Sequence, residues 1–260
     1  MPHPYEDVVS KIKRAEKHIA DFIAETAGFM QPDPYGVIEE TDPNTREKFH
    51  VIKTVPTIPR PLRIIAGDAI QNLRSALDYL AYGLVVVANA KPTHDTGYPI
   101  STGMPKPDDP NSRFSAQVRG MRQDAIDAIK ATKPYKRGNY ALWRLHRLNI
   151  IDKHRVLMAA TTSASHINPR FSADLVDYLT GITDAIPNPA TTMFDRFPVK
   201  AGDKFPFYAS KTEMHKHEQF MLEIAFNEPG ISEGEVVITV LKESIRCVQK
   251  IVGNLARFMY

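Results

Sequence analysis

The sequence predicts an α+β protein: a helical bundle of about five main helices with an inserted β-hairpin and a small antiparallel sheet. Three observations carry that expectation. Five segments repeat apolar residues at spacings of three and four, the period of a helix with one buried face. Two intervals between them place branched or aromatic residues near alternate positions and are bounded by Pro, Gly, Asn and Asp. The last segment returns to helical spacing, so its stripe must pack on the earlier helices, which makes residues 1–260 a single domain.

The first helix is expected near residues 5–29, with Val8, Ile12, Ala15, Ile19, Phe22 and Ile23 on one side. A hairpin follows near 35–55, where "TDPNT" supplies turn residues between "YGVIEE" and "REKFHVIKTV". The longest helix, near 60–90, aligns Leu62, Ile65, Ala69, Leu73, Leu77, Leu80 and Leu84. Gly67 and Gly83 each weaken it by about 1 kcal/mol relative to alanine without forbidding it. A crossover rich in Pro, Gly and Asp leads to a helix near 112–132, and "KPYKRGNY" connects that to one near 140–158. Strands are expected within 160–228, in "RFSADLVDYL", "MFDRFPVKAGDKFPFY" and "EQFMLEIAFNEPG". The closing helix, near 234–259, runs through Val237, Val240, Leu241, Ile245, Val248, Ile251, Val252, Leu255 and Phe258.

Composition narrows the class. With 43% hydrophobic and 24% charged residues the 260-residue chain has a globular balance, and a net charge of +3 permits nucleic-acid contact without requiring it. The longest uncharged apolar run, Tyr79 to Ala90, is short of the ~20 residues a membrane span needs. The charged N-terminal stretch does not read as a signal peptide, and a lone Cys247 fits a reducing compartment, so a cytoplasmic location is expected. No P-loop, Gly-x-Gly-x-x-Gly, Gly-x-Ser-x-Gly, His-Glu-x-x-His or Cys-x-x-Cys motif occurs. That argues against P-loop nucleotide hydrolysis, Rossmann redox chemistry and the commonest hydrolases.

The chemistry concentrates in "RLNIIDKHR", Arg147 to Arg155. Leu145, Leu148, Ile151 and Val156 face the core, yet Asn149 and Asp152 lie on or beside the same face. A buried polar group without a partner costs about 1–3 kcal/mol, so both need one. The long helix offers a polar stripe of Asp68, Gln71, Asn72, Ser75, Asp78, Tyr79 and Tyr82, with Arg74 and Asp78 four apart and able to pair. The expected arrangement sets Arg74 and Asp78 against Asn149, Asp152 and His154. It has two readings: a polar network that fixes helix register, or a site in which His154 exchanges a proton and Arg147 holds a phosphate. Seven residues turn a helix through about 700°, which would return His154 almost to the face of Arg147. Such a pair supplies what metal-independent RNA cleavage needs, a base for the 2′-hydroxyl and a cation for the developing charge.

"GDAIQNLRSALDYLAY" together with "DKHR" resembles a widespread set of uncharacterised bacterial proteins with the same motif pair, a likeness that implies no function. The Arg147 to His154 spacing is similar to the Arg-x4-6-His signature of HEPN-domain ribonucleases, helical bundles of toxin and antiphage systems. That resemblance implies a homodimer whose two copies complete one site acting on RNA or a nucleotide, with Arg147 and His154 catalytic and Asp152, Asn149, Arg74 and Asp78 orienting them. Leu148 after the arginine and the β insertions depart from the pattern. Lys133, Lys136 and Arg137, interleaved with Tyr135 and Tyr140, suit RNA contact. His215, His217 and Glu218 suggest a metal pair, but no third ligand is identifiable, so no metal and no cofactor is expected.

Overall fold

The structure, a computed structural model, describes residues 3–31, 33–106, 109–166, 192–206 and 219–260. Helix α1 (Pro4–Phe29) starts where the His3 ring accepts from the Tyr5 N–H at 3.3 Å, with Pro4 in the first turn and Glu6 and Asp7 complementing the helix dipole. It buries Val8, Ile12, Ala15, Ile19 and Phe22, the stripe its spacing predicts. Helix α2 (Arg60–Val87) is the axis of the bundle, packed by α1, by α5 (Tyr140–Asp152) and by α6 (Val237–Leu255). The α+β class holds.

The helix expected near 112–132 is two helices, α3 (Arg113–Gln117) and α4 (Gln123–Ala131). Gly120 between them has φ +87°, a left-handed backbone in which an L residue is strained, and a Cβ there would lie 2.9 Å from the Ala90 side chain. The helix expected to run to residue 158 stops at Asp152, and His154 lies in the turn beyond it. Arg147 and His154 therefore do not share a helix, which corrects the rotation argument. The closing helix begins at Val237 rather than 234, because Ser232–Val236 is a strand containing Gly234 at φ +78°. A short 3-10 turn, Ala256–Phe258, finishes it.

Seven strands complete the described residues. β1 (Ile38–Thr41) and β2 (Lys48–Val51) form the expected hairpin, and Asp42 Oδ1 closes the turn by accepting from the N–H groups of Asn44 (2.7 Å) and Thr45 (3.0 Å). β5 (Lys204–Pro206) adds to β2 antiparallel, pairing Val51 with Lys204, to give a three-stranded sheet. The second sheet has the order β4 (Thr192–Arg196), β3 (Ala159–His166), β6 (Gln219–Glu228), β7 (Ser232–Val236), antiparallel throughout. Ile224 and Phe226 of β6 join the bundle's apolar core, while Tyr35, Ile52, Val199 and Phe205 make a smaller core under the first sheet. The buried Tyr35 hydroxyl and Thr161 Oγ1, 2.9 Å apart, connect the hairpin region to β3. The segment "RFSADLVDYL", expected to hold a strand, lies outside the described residues, as do His215, His217 and Glu218. Among the described residues no helix is long and apolar enough to cross a membrane.

Candidate functional site

Helix α5 is capped by Asn139, whose Oδ1 accepts from the Leu142 N–H at 3.1 Å. Leu142, His146, Asn149 and Lys153 follow at intervals of four, three and four, so they share a face. That face meets α2, because Arg74 Nε donates to His146 Nδ1 at 3.3 Å. Arg74 is 7% exposed, and its Nη2 donates to the Tyr98 carbonyl at 2.9 Å. Its Nη1 lies 2.9 Å from Asp78 Oδ1, an ion-pair contact poorly angled for a hydrogen bond, while the same oxygen accepts from the Tyr98 N–H at 3.0 Å. The expected Arg74–Asp78 pair is thus present, but it clamps the backbone of Tyr98, and Arg74 also holds His146. Asn149 and Asp152 are not its partners.

Asp152 instead presses its carboxyl against Gly67: a Cβ at that position would lie 2.2 Å from Oδ1. Burial, and then the nearby Asp68 carboxylate, push the Asp152 pKa up. Asn149 is 3% exposed, and its side chain makes no hydrogen bond within the described residues. An orphan of that kind costs about 1–3 kcal/mol. His146 is half-buried, and burial followed by the charges of Arg74, Arg113, Arg147 and Lys153 push its pKa down to about 4. At neutral pH the ring is therefore uncharged. With Nδ1 accepting from Arg74, its proton resides on Nε2, which has no partner among the described residues.

Flanking cations divide into two kinds. Arg144, 3% exposed, is held by Glu235 at 2.8 Å and by Glu243, joining α5 to β7 and α6. Arg155 forks onto Glu228 of β6, Nη1 to Oε1 at 2.9 Å and Nη2 to Oε2 at 2.6 Å, and the Met158 N–H adds a third bond at 2.7 Å to a carboxylate only 1% exposed. The last residue of "DKHR" is thus a tie between the end of α5 and the second sheet. By contrast, Arg113, Arg147, Lys153 and His154 have no side-chain partner among the described residues, and Lys153 and His154 are exposed.

Lys133, Lys136 and Arg137 occupy the loop before α5, about 20 Å of helix rise from His154, so the structure places them at the opposite end of α5 from the Arg147 region. Lys136 Nζ sits 4.6 Å from the centroid of the buried Trp143 ring, and Gly138 is needed there because a Cβ would meet the Lys133 carbonyl at 2.5 Å. Among the described residues no three His, Cys, Asp or Glu side chains cluster as a metal site would require. His146 could have been found from its spacing to Asn149 and Lys153. Tyr98 and Glu228 carry no local signal. Comparison of the chain with protein-family models, curated proteins and solved structures finds no match.

Proposed function

We propose that the protein binds RNA or a nucleotide through phosphate at the C-terminal half of α5, and that Arg147 and His154 give it a metal-independent ribonuclease activity. One observation carries the reading: along 144–155 the structure consumes Arg144, Asp152 and Arg155 in internal contacts and leaves Arg147, Lys153 and His154 without partners among the described residues. A solvent-exposed imidazole beside unpaired cations suits an anionic substrate. In cleavage His154 would take the proton of a 2′-hydroxyl as that oxygen attacks phosphorus. The bond to the 5′-oxygen breaks, that oxygen leaves with a proton taken from water, and Arg147 offsets the charge gathering on the phosphoryl oxygens. The HEPN resemblance adds a homodimer to the proposal, with a second copy contributing to the site.

The test is incubation of a labelled mixed-sequence RNA in EDTA with wild type and His154→Ala. Cleavage by wild type that is lost in an equally stable variant supports the activity. Cleavage by neither protein leaves the second reading, a non-enzymatic ligand-binding or interaction module. The Arg74, Asp152 and Arg155 contacts favour it, since each locks helix register or joins helix to sheet.

A further inference from the structure

We infer that the cavity between the loop at 99–106 and α3 seats one nucleotide, its base lying on Ile100 and Phe114 and its phosphate held by Arg113 and Lys106. The inference rests on the nucleotide-binding reading above and gives the base a place which that reading leaves unassigned.

The cavity holds about 280 Å³, at the small end for ligand pockets, which suits one nucleotide rather than a strand. Its walls are fixed by the fold. On one side Arg74 and Asp78 clamp Tyr98, and the Ser101 N–H donates to the Pro134 carbonyl at 3.0 Å, so the backbone between them is held at both ends. On the other, the Gln117 carbonyl accepts from the Gly97 N–H at 3.3 Å, and Ser112 Oγ caps α3 by accepting from the Ser115 N–H at 3.1 Å. Ile100 and Phe114, both buried, give the cavity an apolar lining on which a flat ring can rest.

The polar groups around that lining are ones the fold leaves unused. Lys106 and Arg113 are exposed cavity residues, and neither they nor the Gln117 amide, which offers a base edge both a donor and an acceptor, have a side-chain partner among the described residues. Asp109 is opposite in sign: Oδ1 accepts from the Asn111 N–H at 2.9 Å, and Oδ2 has no partner among the described residues. Charge and donors together select the ligand. A phosphate monoester carries about −1.5 to −2 at pH 7 and so matches two cations, whereas the carboxylate of an amino acid would leave one unanswered. A bare inorganic anion would face the Asp109 carboxylate with nothing to donate, but a ribose brings hydroxyls. Arg113 also acts on Arg74 and on His146, as Arg147 does on His146, so one positive field joins the cavity to the cations of α5.

The experiment is calorimetric titration at constant ionic strength with the four nucleoside 5′-monophosphates, the matching nucleosides and inorganic phosphate. The expected result is saturable binding of at least one monophosphate, at least ten-fold tighter than its nucleoside and than phosphate, with affinity falling at least ten-fold in Arg113→Ala and in Lys106→Ala. Both side chains are exposed, so both variants keep the native fold. No saturable binding of any monophosphate, phosphate binding as tightly as the best monophosphate, or unchanged affinity in Arg113→Ala overturns the seat. Monophosphate affinity lost in Arg147→Ala but kept in Arg113→Ala overturns the seat and leaves the phosphate reading of α5 intact. Affinity lost in Arg113→Ala, with no cleavage of RNA by wild type in EDTA, upholds the seat and removes the ribonuclease reading.

Discussion

Acidifying the protein from pH 7 to pH 4 should cost stability specifically through His146. Its pKa in the fold is about 4, against about 6.5 in an unfolded chain, so between those values the unfolded state binds the extra proton. A depressed pKa contributes stability that is complete above about 6.5 and lost as pH falls towards 4. The interval corresponds to at most about 3 kcal/mol, and partial exposure of the ring reduces this to about 1–2 kcal/mol. Asp152, raised by burial and by Asp68, and Glu223, pushed up to about 7 by burial, act in the opposite sense, gaining stability as they protonate. Those contributions cancel when wild type is compared with His146→Gln, which keeps an acceptor for Arg74 Nε but cannot titrate. Urea midpoints at half-unit pH steps should therefore converge or cross, wild type losing about 1–2 kcal/mol more than the variant over the window. Parallel profiles would refute both the burial argument and the neutral His146 tautomer that accepts from Arg74.

Two further substitutions test how α5 is anchored. Arg155→Ala strips the fork from a carboxylate that is 1% exposed but leaves it the Met158 N–H. Since Arg155 is itself half-exposed and water can replace it, the loss should be about 2–3 kcal/mol, a fall of about 4–10 °C in Tm by calorimetry; an unchanged Tm would mean the fork is not formed. Gly67→Ala should destabilise wild type despite a propensity gain of about 1 kcal/mol, because the new Cβ meets Asp152. In an Asp152→Ala background the same change should become stabilising, with a coupling of about 1–3 kcal/mol in a thermal-denaturation double-mutant cycle, and additivity would refute the contact.

What the sequence made legible follows from the range over which each signal acts. The stripes of α1, α2 and α6 are local periodicities, and Val8 to Phe22, Leu62 to Leu84 and Val237 to Leu255 are buried as their spacing requires. The Arg74–Asp78 pair, four residues apart on one helix, was readable for the same reason. Gly120 and Gly234 are visible in the sequence, but a glycine in a helical pattern does not announce a positive φ, so a broken helix and a strand look there like continuous helix. Gly67 reads in the sequence as a cost in helix propensity, while its missing side chain is what lets Asp152 approach. The end of α5 at Asp152 is enforced by Glu228, 73 residues beyond Arg155, and no window of sequence contains that contact. His146 belongs to the regular 142, 146, 149, 153 series, but nothing local to a histidine on a helix face announces the arginine it meets 72 residues away.

The smaller core has a consequence for synthesis. Tyr35 and Ile52 are made early, but the residues that cover them, Val199 and Phe205, come roughly 150 positions later. A ribosome adding about 5–20 residues per second therefore leaves the hairpin without its third strand for roughly 8–30 seconds. Throughout that interval β2 is a free edge with an uncovered apolar side, while α1 and α2 already have each other. The nascent chain thus presents one predictable adhesive strand, at residues 48–51, and it is there that a chaperone or a second nascent copy would first find purchase.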